Sequence, residues 1–320
     1  MMNCEPPGRT AATHNSDYSA ALGATLVVAR PRWLRISRSR PADRRWYDCR
    51  MQEGLETLGV ILLALAGVGL GRWFSKLPKW YWILGYLLPA VVLVLLWLPQ
   101  QVSALFFVPP FSWLTAGRTE FALAGFIVTL ILTTPLSRIP TARVRALVVL
   151  FMAVIVVTSS VLPFIGPVFI KNYLANLRTD IDHDGICLQS TDYNCGPASA
   201  VTALRRLGIK AEEGQLAIWA HTNAVSGTQP DVLAESLRKH YAGHGVTAEY
   251  LFFKNLSNIE GAGAFVAVIK YAPFVDHYVA LLEVRDGHVI VGDPLVGKTT
   301  LPRAEFEKKW RHSGIVLRRK

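Results

Sequence analysis

Charged residues are scarce in this sequence: 18% of its 320 residues are Asp, Glu, Lys or Arg, whereas 51% are hydrophobic. The mean hydropathy of +0.29 favours a membrane protein over a soluble one. Cysteine is scarcer still, and four cysteines this scattered exclude a disulfide scaffold and a four-ligand zinc site. They are Cys4, Cys49, Cys187 and Cys195. We expect neither a metal nor a cofactor.

Acidic residues are also in the minority, with 23 Asp and Glu against 34 Lys and Arg and a net charge of +11. Such an excess can indicate nucleic-acid binding. Here the basic residues crowd residues 1–54 and the loops beside apolar segments, where lipid headgroups and membrane topology account for them. We therefore expect no nucleic-acid partner. Residues 1–54 are interpreted as a disordered basic tail, and a translation start at Met51 would leave most of it out.

Four long apolar spans follow the tail, at residues 55–70, 80–99, 121–136 and 146–170. A membrane helix needs about 20 apolar residues, and the lack of a polar face excludes the core of a soluble helical bundle. Because the interiors of the spans lack ionisable side chains, an anchor is favoured over a transporter or proton relay. Residues 55–170 are thus predicted to form about four helices in the lipid bilayer of the cell membrane.

The orientation of this bundle depends on the basic residues that flank its spans, which are Arg72, Lys76, Lys79, Arg138, Arg143 and Arg145. By the positive-inside rule their loops are cytoplasmic, which places the C-terminal domain outside the cytoplasm. The Arg-rich tail argues for the reverse orientation. Both orientations stay open, and the extracytoplasmic one is favoured.

Residues 171–320 predict a separate domain of the α+β class, because helices come first and an antiparallel sheet follows. Apolar patterns predict helices near 212–220, 230–241 and 303–310, and strands at 247–253, 264–270, 277–284, 288–291 and 314–317. The predicted fold class is therefore multi-domain, with an α-helical membrane bundle followed by an α+β domain.

One cysteine of this domain stands where a helix is predicted to begin. Asn194 can cap the helix ahead of Cys195, Pro197 suits its first turn and Gly208 suits its end. A thiol there faces unpaired backbone N–H groups and the positive end of the helix dipole. Both favour the thiolate, which is the nucleophilic form.

A histidine and an aspartate further along the chain are spaced to support this thiol. His277 begins one predicted strand and Asp293 closes the next, and the tight turn at Arg285–Gly287 joins the two strands. The hairpin can bring both side chains to the same end of the sheet. The carboxylate would then hold one imidazole nitrogen while the other takes the thiol proton.

Several short motifs of this domain resemble the bacteriocin-processing, or double-glycine leader, peptidase family, whose members are papain-like cysteine peptidases. They occur in the order of that family, over about residues 189–320. They are Gln189, Asn194-Cys195-Gly196-Pro197, Gly227-Thr228, Asp276-His277-Tyr278-Val279, Gly292-Asp293-Pro294 with Gly297, and Glu305-Phe306 with Trp310.

The resemblance implies a thiol peptidase that cleaves peptide bonds through a thioester acyl-enzyme. It assigns Cys195 as nucleophile, His277 as general base and then acid, Asp293 as the residue that orients His277, and Gln189 as an oxyanion donor. It also implies a peptide or protein substrate, with leader peptides as one class and a separate exporter as one partner. In the best-known members this domain precedes a membrane exporter with an ATPase, whereas here it follows the membrane helices.

Two further function classes are weighed against the peptidase. One is a catalytically silent domain that only binds peptides, and the other is an ATP-linked transport component. The second rests on residues 292–299, which satisfy the phosphate-loop pattern G-x-x-x-x-G-K-T. A phosphate loop must run directly into a helix, but Pro302 interrupts the chain soon after this pattern, which argues against ATP binding.

Residues 180–185 begin like a calcium loop but lack the glutamate at its twelfth position, so an acidic linker is favoured.

Overall fold

The computed structural model describes residues 42–259, 263–272 and 275–320, with side chains from residue 54 onward. All of these lie in one compact unit, Arg38–Lys320. Of the predicted tail, residues 1–41 lie outside the described part, and the first helix begins at Ala42. The domain boundaries at 54/55 and 170/171, and the start at Met51, stay predictions.

The N-terminal half of the described chain is helical and apolar on nearly all sides. Its α-helices are α1 (Ala42–Ser75), α2 (Leu87–Gln101), α3 (Phe111–Leu114), α4 (Thr119–Thr133), α5 (Ala142–Val156) and α6 (Leu162–Ala175). Four segments are long and apolar enough to cross a membrane, namely Gly54–Ser75, Tyr81–Gln101, Thr119–Arg138 and Ala142–Ala175. The four predicted spans are thus confirmed as helical segments of the right length and composition.

The expectation that the predicted spans lack ionisable groups needs one correction, because Glu56 lies inside the first of them, residues 55–70. Its carboxylate pairs with the guanidinium of Arg118 at 2.5 Å. That guanidinium also lies over the ring of Phe164, 4.8 Å from the ring centroid. The pair therefore ties together three helical segments at one end of the bundle, which is a structural role.

The last apolar segment is longer than a bilayer requires. Its 34 residues span about 50 Å as a helix, against about 30 Å for the hydrocarbon core of a bilayer. Its C-terminal end packs against the following domain, where the backbone of Gly214 lies directly on the carbonyl of Leu174. Asp231 also accepts the backbone N–H of Gly117 at 2.7 Å. The two halves of the described chain are therefore in direct contact.

The C-terminal half combines helices with an antiparallel sheet, as predicted. Its helices are α7 (Cys195–Arg206), α8 (Glu213–Trp219), α9 (Pro230–His240) and α10 (Arg303–Lys309). Its strands are β1 (Asp180–Ile181), β2 (Cys187–Leu188), β3 (Val246–Phe252), β4 (Ala264–Ala272), β5 (Val275–Val284), β6 (His288–Asp293), β7 (Gly297–Pro302) and β8 (Trp310–Arg319). The predicted fold class, a helical bundle followed by an α+β domain, is confirmed.

The large sheet has the strand order β3-β8-β4-β5-β6-β7, and every neighbouring pair is antiparallel. Alternating side chains of β4 divide the core, because successive residues of a strand point to opposite faces. Val266 and Val268 face α7 and α9, whereas Phe265 and Ile269 face the cluster around Phe306 of α10. Helix α7 packs across β5, which is the strand that carries His277.

Candidate active site

The predicted nucleophile lies at the start of a helix, since Cys195 is the first residue of α7. Asn194 occupies the capping position, but the prediction that its side chain caps the helix is wrong. Its side-chain amide nitrogen instead donates a hydrogen bond to the carboxylate of Glu213 at 3.0 Å. The Asn194 side chain therefore leaves the first-turn N–H groups of α7 uncovered, and these groups lack partners within the helix.

One buried hydrogen bond joins α7 to the sheet, and a second joins the sheet to the loop that precedes α9. The hydroxyl of Ser199 donates to the carbonyl of Tyr278 at 2.9 Å, and the hydroxyl of Tyr278 donates to the carbonyl of Thr228 at 2.7 Å. A side chain at Gly196 would press on Thr228, which explains a glycine directly after the cysteine. These contacts bring the start of α7 to the start of β5.

The predicted histidine and aspartate meet across the β5–β6 hairpin. His277 Nε2 lies 2.8 Å from Asp293 Oδ1, and His277 is only 5% exposed. The same aspartate oxygen accepts the backbone N–H of Leu295 at 2.9 Å, which fixes the carboxylate. The thiol of Cys195 lies close enough to the imidazole to raise its pKa. Because Asp293 occupies Nε2, the nitrogen left for the thiol is Nδ1.

Electrostatics favour a charged pair of His277 and Asp293. Burial alone would lower the pKa of His277, but its hydrogen bonds with Asp293 and Cys195 outweigh burial and raise that pKa to about 9. Burial would likewise raise the pKa of Asp293, but hydrogen bonds from His277 and from the Leu295 N–H lower it overall. At neutral pH the ring is thus protonated beside an ionised carboxylate.

Gln189 lies in the same neighbourhood, six residues before Cys195. Its backbone N–H donates to the carbonyl of Pro294, next to Asp293, at 2.9 Å. Its side-chain nitrogen donates to the carbonyl of Thr191 at 2.8 Å. A primary amide has two N–H groups, so this bond uses only one of them. The structure thus brings all four predicted site residues into one region of the domain.

Two polar side chains that sequence reasoning missed surround this region. Glu213 is fully buried behind the segment that precedes Cys195. Arg311, 6% exposed, donates to Asp276 beside the histidine at 2.8 Å and to the carbonyl of Gln100, near the end of α2, at 2.8 Å. No local pattern indicates these contacts, because the partners are 19 to 211 residues apart in the chain.

The phosphate-loop pattern at residues 292–299 forms a hairpin between β6 and β7, with Asp293 paired to Gly297. No helix follows the glycines directly, so the stretch is not a phosphate loop. Lys298 instead donates to Asp184 at 3.2 Å.

The calcium-like segment at residues 180–185 forms a tight turn, in which Asp182 accepts the N–H of Ile186 at 2.8 Å. Within the described ranges, no group of three or more His, Cys, Asp or Glu side chains could hold a metal ion.

Comparison with known proteins follows the same division of the chain. Residues 184–320 match the model of the Peptidase C39 family. The resemblance predicted from the sequence is confirmed for this part of the chain. An uncharacterized protein of Methanothermobacter marburgensis is 27% identical over 144 residues, which make up 45% of this chain and 95% of that protein.

Solved structures with similar folds include two peptidase domains. One is the peptidase domain of Streptococcus ComA, a bi-functional ABC transporter involved in a quorum sensing pathway. It is 20% identical, with a TM-score of 0.38, over 42% of this chain and 96% of that one. The other is a double glycine motif protease from an AMS/PCAT transporter, in complex with its leader peptide. It is 15% identical, with a TM-score of 0.36, over 45% of this chain and 96% of that one.

Proposed function

Because residues 184–320 match the Peptidase C39 family, we propose that this protein is a membrane-anchored cysteine peptidase that hydrolyses a peptide bond through Cys195, His277 and Asp293. The observation that carries the proposal is the buried imidazole of His277, which pairs with Asp293 at 2.8 Å and whose pKa is raised by the nearby thiol of Cys195. A protonated imidazole beside a thiol favours the thiolate, which is the form that attacks a carbonyl carbon.

The first half of the reaction acylates the enzyme. The thiolate of Cys195 attacks the carbonyl carbon of the scissile bond, forming the S–C bond as the C=O electron pair moves onto oxygen. When this oxyanion collapses, the C–N bond breaks and His277 Nδ1–H gives its proton to the leaving amine. Asp293 keeps Nδ1 directed at the thiol by holding Nε2. The product of this half is a thioester on Cys195.

The second half releases the acyl group. The now neutral Nδ1 of His277 takes a proton from a water molecule, whose oxygen attacks the thioester carbonyl. Collapse of this second oxyanion breaks the S–C bond, which frees a carboxylic acid and restores the thiolate–imidazolium pair. The remaining amide N–H of Gln189 and the backbone N–H of Cys195 stabilise both oxyanions in this scheme. One such donor contributes roughly 3–4 kcal/mol to lowering a barrier.

The substrate class that we propose is a leader peptide, as the family resemblance implies. We also place the peptidase domain on the extracytoplasmic side, since the opposite end of the bundle carries six basic residues, Arg72, Lys76, Lys79, Arg138, Arg143 and Arg145.

The thiol chemistry is tested by alkylating the purified full-length protein with iodoacetamide at pH 6. An ordinary thiol is less than about 1% thiolate at that pH, so we expect Cys195 to react at least ~10 times faster than glutathione. Burial raises the pKa of the Cys187 thiol, which serves as an internal control and should stay unmodified. Labelling of Cys195 at the glutathione rate would contradict a thiolate nucleophile.

The orientation is tested with reporters fused after Lys320. Alkaline phosphatase folds only outside the cytoplasm and green fluorescent protein fluoresces only inside it, so we expect phosphatase activity and no fluorescence at this position. The same reporters inserted after Lys76, between the first two spans, should give the opposite pattern. Fluorescence from the Lys320 fusion would show that the arginine-rich tail sets the topology instead.

A further inference from the structure

A fully buried carboxylate lies behind the nucleophile and takes no part in the reaction above. Glu213, the first residue of α8, is 0% exposed. Its Oε1 accepts the backbone N–H of Ser190 at 2.9 Å and the side-chain amide of Asn194 at 3.0 Å, and its Oε2 accepts the Ser190 hydroxyl at 2.6 Å. Removing a carboxylate from water is costly unless hydrogen bonds compensate. Here the compensating donors all come from one short segment.

That segment joins two of the proposed site residues. Ser190 directly follows Gln189, and Asn194 directly precedes Cys195. We propose that Glu213 is a positioning residue for the peptidase reaction: it clamps both ends of residues 190–194 and so sets the oxyanion donor Gln189 against the thiol of Cys195. The inference rests on the proposed function, because it assigns Glu213 a role in that same site.

Other side chains of the segment do little to hold it. The side-chain oxygens of Gln189, Thr191 and Asn194 are buried without a hydrogen-bond partner among the described residues. The carbonyl of Thr191 receives the Gln189 amide and the backbone N–H of Asn194, which closes a turn inside the segment. This turn shapes the segment but does not attach it to the rest of the domain. Three bonds to Glu213 provide that attachment, and the Ser190 hydroxyl also lies 3.3 Å from the carbonyl of Arg178.

Glu213 is itself fixed to the end of the membrane helices. Its backbone N–H donates to the hydroxyl of Thr179 at 2.9 Å, four residues after α6. The next residue, Gly214, packs on the carbonyl of Leu174 so closely that a side chain there would collide with it. The clamp on the catalytic segment is therefore anchored on α6.

The test compares Glu213→Ala, Glu213→Gln and, as a matched control, Glu212→Gln in the full-length protein. Glu212 is the exposed neighbour, and its carboxylate accepts the Thr179 hydroxyl rather than the catalytic segment. Peptide hydrolysis and alkylation of Cys195 by iodoacetamide are both measured. We expect Glu213→Ala to lower kcat by about 10- to 100-fold with KM within about threefold, and to slow alkylation, since a displaced thiol loses its imidazole partner.

The variant Glu213→Gln tests whether the hydrogen bonds of Glu213, rather than its charge, position the segment at residues 190–194. Its amide can accept from Ser190 and Asn194 with its oxygen and donate to the Ser190 hydroxyl with its nitrogen. We therefore expect it, like Glu212→Gln, to retain at least half of the wild-type kcat. A folded Glu213→Ala protein with kcat and alkylation rate within twofold of wild type would overturn the inference. If Glu213→Ala does not fold, Ser190→Ala replaces it, with at least a threefold loss of kcat expected and an unchanged kcat overturning the inference.

Failure of the proposed function looks different from failure of this inference. If the wild-type protein hydrolyses no peptide and its Cys195 alkylates like glutathione, the peptidase proposal is lost. If the wild type is active and Cys195 is reactive while Glu213→Ala matches both values, only the positioning role is lost.

Discussion

Replacing Cys195 with alanine is expected to abolish peptide hydrolysis. We expect kcat to fall by roughly 10⁴-fold or more, as it does when other enzymes lose their catalytic nucleophile. No other group near His277 is placed in this scheme to form the acyl-enzyme. The measurement is single-turnover and steady-state hydrolysis of a peptide by the full-length protein. Circular dichroism and thermal unfolding should be unchanged, because Cys195 is only partly buried.

The matched control for this variant is Cys187→Ala. Cys187 is fully buried in the core beneath α7, and its backbone N–H donates a hydrogen bond to the hydroxyl oxygen of Thr202. Its replacement removes one sulfur from the core, so we expect lower stability and nearly unchanged kcat in the folded protein. A Cys195→Ala protein that hydrolyses peptide at the wild-type rate would remove the nucleophile assignment, whatever Cys187→Ala does.

The helices and most strands could be predicted because their signals are local. Apolar runs without a polar face predict the four long apolar segments, and strands such as β4 carry continuous apolar residues that a short window detects. The hairpin that joins His277 to Asp293 is also local, since a tight turn at Arg285–Gly287 sets which residues oppose one another. The central pair of the site was predictable for this reason.

Strand β7 was missed because its sequence has little strand character. Gly297–Pro302 begins with glycine, ends with proline and contains a single large apolar residue, Leu301, at the edge of the sheet. Edge strands tolerate such residues because one side of their backbone has no strand partner. Residues 297–299 also complete the phosphate-loop pattern of residues 292–299, and only the pairing with β6 reveals a strand.

The contacts around the site could not be predicted because they join residues far apart in the chain. Asn194 is a good capping residue by type, yet its amide is held by Glu213, 19 residues later. Nothing near Glu213 in the sequence distinguishes it from an exposed acid at the start of a helix, as its neighbour Glu212 is. Only the packing of α8 against α6 places this carboxylate behind the segment that precedes Cys195.

Asp293 should govern the pH dependence of the reaction through His277. The form proposed to react carries a protonated His277, and hydrogen bonds to Asp293 and Cys195 raise the pKa of this imidazole to about 9 despite burial. Activity should therefore persist through neutral pH and fall as pH rises through about 9. An uncharged partner stabilises the imidazolium less, which lowers the pKa of His277 and moves this alkaline limb to lower pH.

Two substitutions of Asp293 separate its charge from its hydrogen bond. Asp293→Asn keeps an oxygen for the ring N–H, so we expect the alkaline limb of kcat/KM to shift down by at least about one pH unit with a moderate loss of kcat. Asp293→Ala also frees the ring to rotate away from the thiol, and we expect kcat to fall by about 10²-fold or more. Asp286→Asn, at the exposed turn of the same hairpin, should change neither value. An alkaline limb that stays near pH 9 in Asp293→Asn would show that another group sets the charge of His277, because the carboxylate is the only group that this substitution neutralises.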